Sequence, residues 1–398
     1  MLLKKTPVPL MVDAFRISRI LNSKHLVTGL SHNLYRYPAR FSPRFAREII
    51  TSLSQPGDLV VDPFLGGGTS AVEALSNGRN FLGCDINPIA IFASKAKITR
   101  FSEENFEEAL ELLNAREEQT NSGSAVPKRY IKDGYLNNVP KRFLRLVAPI
   151  LILTERSSDP DVELFVRSVL LKTSQWALDC REHTPTGRAI RKRLVEDAHA
   201  VYLGALAFTQ QCDGSTARFG VRPVAQIHLS AAQDLPAKLL TSSMQLEKAK
   251  LIITSPPYAG THIVYHQWQI NSRRRTRAPF WLINSMDGMG APYYTFGDYR
   301  THARSKYFEE ALNVFSTMKT ILDPAGTLVQ LVGFSNPRAH LPRYLNMMAA
   351  AGYEEVTDRD SLGRAQRVWR NVPNRRWYNN TGASPANSRE VMLIHRPV

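Results

Sequence analysis

Acidic residues are scarce beside basic ones: 35 Asp and Glu stand against 51 Lys and Arg, a formal net charge of +16. That imbalance argues against an acidic small molecule as partner and for a polyanion, either nucleic acid or an anionic membrane surface. Cysteine is nearly absent. Cys84, Cys180 and Cys212 are too few and too scattered for a disulfide framework and suit a reducing compartment. No run approaches the roughly 20 apolar residues of a membrane span. Residues 1–15 carry Lys4 and Lys5, but their apolar run is broken by proline and no cleavage-site pattern follows. A cytoplasmic protein with no membrane contact is expected. Internal repeats and low-complexity tracts are also lacking. What is present is 43% hydrophobic residues over 398 positions, enough for one large core or a core plus an inserted module.

Periodicity divides the chain into three parts. Residues 58–62 read as a short buried strand, followed by a glycine turn (Gly66, Gly67, Gly68) and a helix over Thr69–Ser76. A second strand over 81–84 ends in Asp85, and Pro88 opens a helix to about Lys97. Ser102 is placed to cap a charged helix reaching residue 118, and 121–127 is a turn-rich break. Much of the chain to Gly220, including 159–178 and 188–211, reads as helical. Alternation returns at 223–229, and Ala249–Thr254 is a buried strand running into Ser255-Pro256-Pro257-Tyr258. A helix over 302–322, a Pro-Ala-Gly turn, a strand over 327–334, a helix over 341–351 and a strand over 391–395 follow. The expected fold is α/β, a Rossmann-like doubly wound sheet with an inserted, mainly helical module. Its parts are 1–103 with the first motif, 104–222 as the insertion and candidate target-recognition module, and 223–398 with the second motif.

In the first motif, Asp62-Pro63-Phe64-Leu65-Gly66-Gly67-Gly68-Thr69, glycines let backbone pass close to a ligand, and the helix from Thr69 offers unpaired N–H groups. Asp85, seventeen residues past the last glycine, is placed to accept hydrogen bonds from the two ribose hydroxyls of a nucleoside. Taken alone, such a turn is as well explained by tight structure.

The second motif, Thr254-Ser255-Pro256-Pro257-Tyr258, joins a small hydroxyl, two rigid prolines and an aromatic at a strand end. An exocyclic base amine is a poor nucleophile because its lone pair is delocalised into the ring. Acceptors aimed at its N–H bonds draw the nitrogen toward a pyramidal geometry. Ser255 Oγ and the Pro256 carbonyl are suitable, since prolines hold the backbone extended with oxygens outward. Tyr258 is suited to stack on a base extruded from a duplex.

Together the two motifs resemble those of the DNA amino-methyltransferase family, whose cofactor motif is Asp-Pro-Phe-x-Gly-x-Gly-Thr and whose catalytic motif is Ser/Asp-Pro-Pro-Tyr. The resemblance extends to Tyr37-Pro38-Ala39-Arg40-Phe41-Ser42-Pro43, similar to the family's segment at the methionine end of the cofactor. It covers about 34–97 and 226–258, is weaker to 334, and leaves the helical insertion out. It implies a methyltransferase sheet, S-adenosylmethionine as cofactor, duplex DNA as substrate and base flipping with direct methyl transfer. Cofactor contacts then fall to Phe41, Pro43, Asp62, Pro63, Phe64, Gly66, Gly68, Thr69, Asp85, Asn87 and Thr254, and catalysis to Ser255, Pro256, Pro257 and Tyr258. Ser-Pro-Pro-Tyr accompanies methylation of the cytosine 4-amino group more often than of adenine. Restriction-modification, phage defence and epigenetic marking are the roles this implies, with a cognate restriction or defence protein as possible partner. Two departures stand out. Gly-Gly-Gly-Thr replaces the commoner Gly-Ser-Gly-Thr, and Ala231 stands where the family's Gly-Asp-Ala would place an aspartate near the cofactor adenine, leaving Asp234 as a substitute.

Arg273, Arg274, Arg275 and Arg277 lie among Tyr265, Trp268, Phe280 and Trp281, a mixture suited to phosphate contact and base stacking. Arg364, Arg367, Arg370, Arg375 and Arg376 interleave in the same way with Trp369, Trp377 and Tyr378. A solvated basic loop is the alternative for both. His262 and His266 have i, i+4 spacing without a third ligand, and no metal is expected. Cys180, His183, His199 and Cys212 match no zinc module and are expected in core packing. Asp287, Gly288 and Gly290 suit either a closing loop or an ordinary turn. The rival functions are adenine methylation, RNA amino-methylation and nucleic-acid binding without turnover.

Overall fold

The central strands form because short β-branched runs can bury both faces at once. In β1 (Leu59–Asp62), Leu59 and Val61 point to one face and Val60 to the other, the period of two that a strand imposes. The structure, a computed structural model, describes residues 12–23, 28–37, 40, 42–114, 126–241, 247–258, 267–270, 274–287, 296, 303–334, 336–359, 365–371 and 389–398. The remaining strands are β2 (Asn80–Asp85), β3 (Ala225–Leu229), β4 (Ala249–Thr254), β5 (Trp268–Ile270), β6 (Arg274–Thr276), β7 (Leu322–Gly333), β8 (Tyr353–Glu355), β9 (Asp358–Arg359), β10 (Ala365–Gln366), β11 (Trp369–Asn371) and β12 (Arg389–Pro397).

The main sheet runs β11-β12-β7-β4-β1-β2-β3, with β8 also on β12. β3, β2, β1, β4 and β7 are parallel, whereas β12 is antiparallel to β7, β8 and β11. The strand order reverses between β1 and β4, so the crevice beyond their carboxyl ends is where this architecture holds ligands. One face is covered by helices Ala303–Ile321 and Pro337–Ala350, the other by Ala14–Leu21, Pro43–Leu53 and Thr69–Ser76. This is the doubly wound α/β sheet expected.

Helices Glu103–Leu113, Lys128–Lys132, Lys141–Thr154, Pro160–Leu178 and Gly187–Phe219 lie between the first and second motifs in sequence. Ser102 caps the first in a capping box with Asn105, but that helix stops at Leu113, capped by Asn114, short of the expected residue 118. The break at 121–127 falls largely outside the described residues. The last of these helices exceeds the expected 188–211 because Cys212 and Ser215 still face the core, and Gly220, in the left-handed region at φ 69°, ends it. The helical core also takes in Leu34, Tyr35 and Tyr37 upstream and Trp268, Ile270, Phe280 and Trp281 downstream.

The Pro-Ala-Gly segment does not precede a strand but lies inside one. β7 starts at Leu322 opposite Ala249 and bulges before Thr327 pairs with Leu251. The Asp323 carboxylate takes the Ala325 N–H inside that bulge.

Candidate functional site

Both motifs lie at the carboxyl ends of adjacent parallel strands, β1 and β4, and Asp62 ties them together. Its Oδ1 accepts from Thr254 Oγ1 at 2.8 Å and from the Phe64 N–H at 3.1 Å, and its Oδ2 accepts from Ser70 Oγ at 2.5 Å. Asp62 and Thr254 are both buried, so each shapes the site from below. Burial pushes the Asp62 carboxyl up to about 6, against the pull of those hydrogen bonds.

Asp85 closes the loop from the neighbouring strand. Its Oδ2 accepts from the Gly66 N–H and its Oδ1 from the Asn87 N–H, each at 2.8 Å. An ionised carboxylate has about four acceptor positions, so capacity remains for ligand hydroxyls. Burial raises this carboxyl also to about 6, while backbone N–H groups draw it down. Asn87 caps helix Pro88–Ile98 by accepting the Ile89 N–H, and its Nδ2 donates to Tyr37 Oη at 2.9 Å.

The glycines are required by crowding within the protein. Gly66 and Gly68 have φ of +51° and +73°, a Cβ at Gly67 would meet Tyr37 Cβ at 2.9 Å, and one at Gly68 would meet Ser94 Oγ at 2.5 Å. Ser94 Oγ donates to the Gly66 carbonyl and the buried Lys97 Nζ to the Gly67 carbonyl at 2.6 Å. Gly68→Ala combines a left-handed backbone with that clash. It should destabilise the protein by about 2 kcal/mol or more, read as a fall in melting temperature; an unchanged melting temperature would contradict the loop geometry.

In the second motif, Ser255 is partly exposed and its Oγ lies 3.0 Å from Tyr258 Oη. Tyr258 Oη donates to Glu390 Oε1 at 2.8 Å, and Glu390 lies 2.7 Å from Arg370 Nε. Tyr307 Oη donates to the Pro257 carbonyl at 2.7 Å, fixing the turn from helix Ala303–Ile321. Phe64 packs edge-on against Phe296, which in turn meets Tyr307. Glu390 and Tyr307 were not legible as site residues, because nothing local in sequence joins them to the motif, and Arg370 was read as a phosphate contact and not as a neighbour of the motif.

Tyr258 corrects one expectation. It is 5% exposed, with its ring in the core beside the sheet, so it presents no face for a base to stack on in this conformation. Trp268 corrects another: it is 3% exposed and its indole N–H donates to Tyr35 Oη, making it a core residue. Arg277 lies over the Tyr135 ring at 4.1 Å. Arg367 grips Glu355 through two hydrogen bonds, and Arg370 faces Glu390, so these two are occupied within the protein. Arg274 and Arg275 are exposed on β6. Pro43 opens helix Pro43–Leu53 in a buried position, Pro63 is buried, and Thr69 starts its helix beside Gly68. Phe41, Arg273, Arg364, Arg375, Arg376, His262, His266, Gly288 and Gly290 lie outside the described residues.

Asp234 is exposed beyond β3, its N–H bonded to the Ala231 carbonyl. Of the four Cys and His residues expected in packing, Cys212 is buried, whereas Cys180, His183 and His199 are exposed. Among the described residues no cluster of His, Cys, Asp or Glu could hold a metal ion, and no helix is long and apolar enough to cross a membrane.

Residues 12–96 match the family model described as DNA methylase. Type II methyltransferase M.MvaI from Kocuria varians is 42% identical over 73 residues, 18% of this chain and 16% of that protein. Orphan methyltransferase M.BamHII from Bacillus amyloliquefaciens is 40% identical over 73 residues, 18% of this chain and 27% of that protein. DNA adenine methyltransferase YhdJ from Escherichia coli (strain K12) is 39% identical over 51 residues, 13% of this chain and 17% of that protein. The matched stretch is thus under a third of each of these relatives. Among solved structures, the alignment with the rRNA methyltransferase AviRa from Streptomyces viridochromogenes covers 92% of this chain and 90% of that one at 10% identity, with a TM-score of 0.35.

Proposed function

We propose that this chain, whose residues 12–96 match the DNA methylase family model, methylates the exocyclic amino group of a base in duplex DNA, and that the base is cytosine. S-adenosylmethionine is the cofactor. When bound, it supplies an electrophilic methyl group. The observation that carries the reading is the joining of the two motifs by one buried carboxylate, Asp62, so that the glycine loop and Ser255 share one crevice. Asp85 fits the cofactor by the chemistry of its acceptors: two oxygens already oriented by backbone N–H groups, with capacity left for a ribose diol. Ser255 Oγ and the Pro256 carbonyl accept from the target amine and draw its lone pair out of conjugation. Asp62 and Thr254 act by holding the two strand ends in register. Positioning supplies most of the acceleration, with no covalent enzyme intermediate. Ser255 in the motif supports cytosine; the likeness to an adenine methyltransferase favours adenine as the second reading.

The carboxyl of Asp85 adds a pH dependence. Because its folded value of about 6 lies above the unfolded value of about 3.9, its contribution to stability is full below about pH 4 and lost as pH rises through about 6. The charged form that accepts ribose hydroxyls is therefore the costly one, and it is populated at neutral pH. Cofactor affinity should be flat from pH 8 to 7 and fall by up to roughly tenfold per unit below about 6, as read by calorimetry. A flat profile to pH 5 would remove Asp85 from the pocket.

DNA contact is assigned to Arg274 and Arg275, and to Arg19 and Arg44, which are exposed around a cleft shared with Arg16 and Arg47. Helix Pro43–Leu53 leads into the amino end of β1, so its own first turn, with Arg44, lies toward the crevice edge. Glu48 and Glu73 engage Arg16 and Arg47. Replacing Arg274 and Arg275 by alanine should lower the slope of log affinity against log salt by about 2, near 0.9 per lost phosphate contact. The check is fluorescence anisotropy on a duplex, and an unchanged slope would contradict the assignment. Competition between duplex DNA and structured RNA tests the substrate class.

A further inference from the structure

We propose that Glu390 and Arg370 are positioning residues that set the direction of the Ser255 hydroxyl, acting through Tyr258. The inference rests on the methyltransferase reading of Ser255. A serine hydroxyl both donates and accepts, and only its lone pairs help a base amine; a hydroxyl whose proton faces the crevice would repel the N–H it is meant to receive.

The sheet resolves this at long range. Arg370 on β11 and Glu390 on β12 are direct cross-strand partners and so lie on the same face. Glu390 is also opposite Gly333 on β7, the strand between β12 and β4. No side chain stands at that position of β7, and Tyr258 follows four residues after the end of β4. Glu390 is buried, and its Oε2 lies 2.7 Å from Arg370 Nε. Arg370 and Glu390 form an ion pair. An ionised carboxylate only accepts. Tyr258 therefore spends its one proton on Glu390 Oε1, at 2.8 Å, and receives one from Ser255 Oγ, at 3.0 Å. The serine proton is directed inward, and its lone pairs are left for the amine. A tyrosine that was expected to stack on the base becomes the link that turns the serine.

The test is a double-mutant cycle on kcat, measured at saturating S-adenosylmethionine and duplex DNA in the full chain. Tyr258→Phe removes the hydroxyl and keeps the ring. It should lower kcat about tenfold, one hydrogen bond's worth, with cofactor affinity unchanged. In a Ser255→Ala background, Tyr258→Phe should lower kcat no further. A loss that is the same in both backgrounds would overturn the proposal, since a merely structural tyrosine acts whether or not the serine is present. Glu390→Gln, whose amide donates as well as accepts, should reproduce part of the Tyr258→Phe loss. If the wild-type chain transfers no methyl to DNA, the functional reading fails, and the relay is then judged by the ring-carbon signal of Tyr258 in tyrosine-labelled protein. That signal should move on both Ser255→Ala and Glu390→Gln; a signal that neither moves would overturn the relay.

Discussion

Ser255→Ala should lower kcat for methyl transfer by about 10²- to 10³-fold, the range seen when one oriented hydrogen-bonding group is removed from a reacting centre. Affinity for S-adenosylmethionine should stay within about twofold, since no cofactor contact is assigned to this side chain. Ser255 is bound to Tyr258, while the neighbouring Thr254 carries the tie to Asp62 and the glycine loop. The substitution leaves that tie intact, and a partly exposed alanine fits without strain. Single-turnover kinetics separates the chemical step from binding. Equal losses in rate and cofactor affinity would mean that Ser255 supports the pocket and does not polarise the amine.

The opposite pattern is expected at Asp85. Hydrogen bonds to a charged acceptor contribute about 1.5–3 kcal/mol each, so losing two ribose contacts in Asp85→Ala should weaken cofactor binding at least about 10²-fold. The same change releases the Gly66 and Asn87 N–H groups, which loosens the loop and the start of helix Pro88–Ile98. At saturating cofactor, kcat should recover to within about tenfold of the parent, because Asp85 touches no group that polarises the amine. Calorimetric titration measures the affinity. An unchanged affinity would refute the ribose assignment.

Much of the fold was legible because its signals are local. Short apolar runs bounded by Asp62 and Asp85 end strands at the crevice, and Ser102, Asp159 and Asn87 cap the helices that follow them. The glycine loop and Ser-Pro-Pro-Tyr were legible for the same reason. What escaped depends on partners distant in sequence. Trp268 sits among arginines, yet its alternation with Ile270 in β5 buries both against the helical body. Arg367 and Arg370 resemble a phosphate-binding run until Glu355 and Glu390 are brought beside them by β8 and β12. The contact of the Tyr258 hydroxyl with a glutamate 132 residues away has no local signal at all. Composition reports charge and aromatic content, but only pairing across strands reports which of those groups are already engaged.

The central claim is that both motifs form one crevice for methyl transfer to a base amine in DNA. Its most direct test is transfer of labelled methyl from S-adenosylmethionine to mixed-sequence duplex DNA, with nucleoside analysis of the product. The expected product is 4-methylcytosine. A 6-methyladenine product would keep the mechanism and correct the base, whereas cofactor binding without transfer to any DNA would contradict the account.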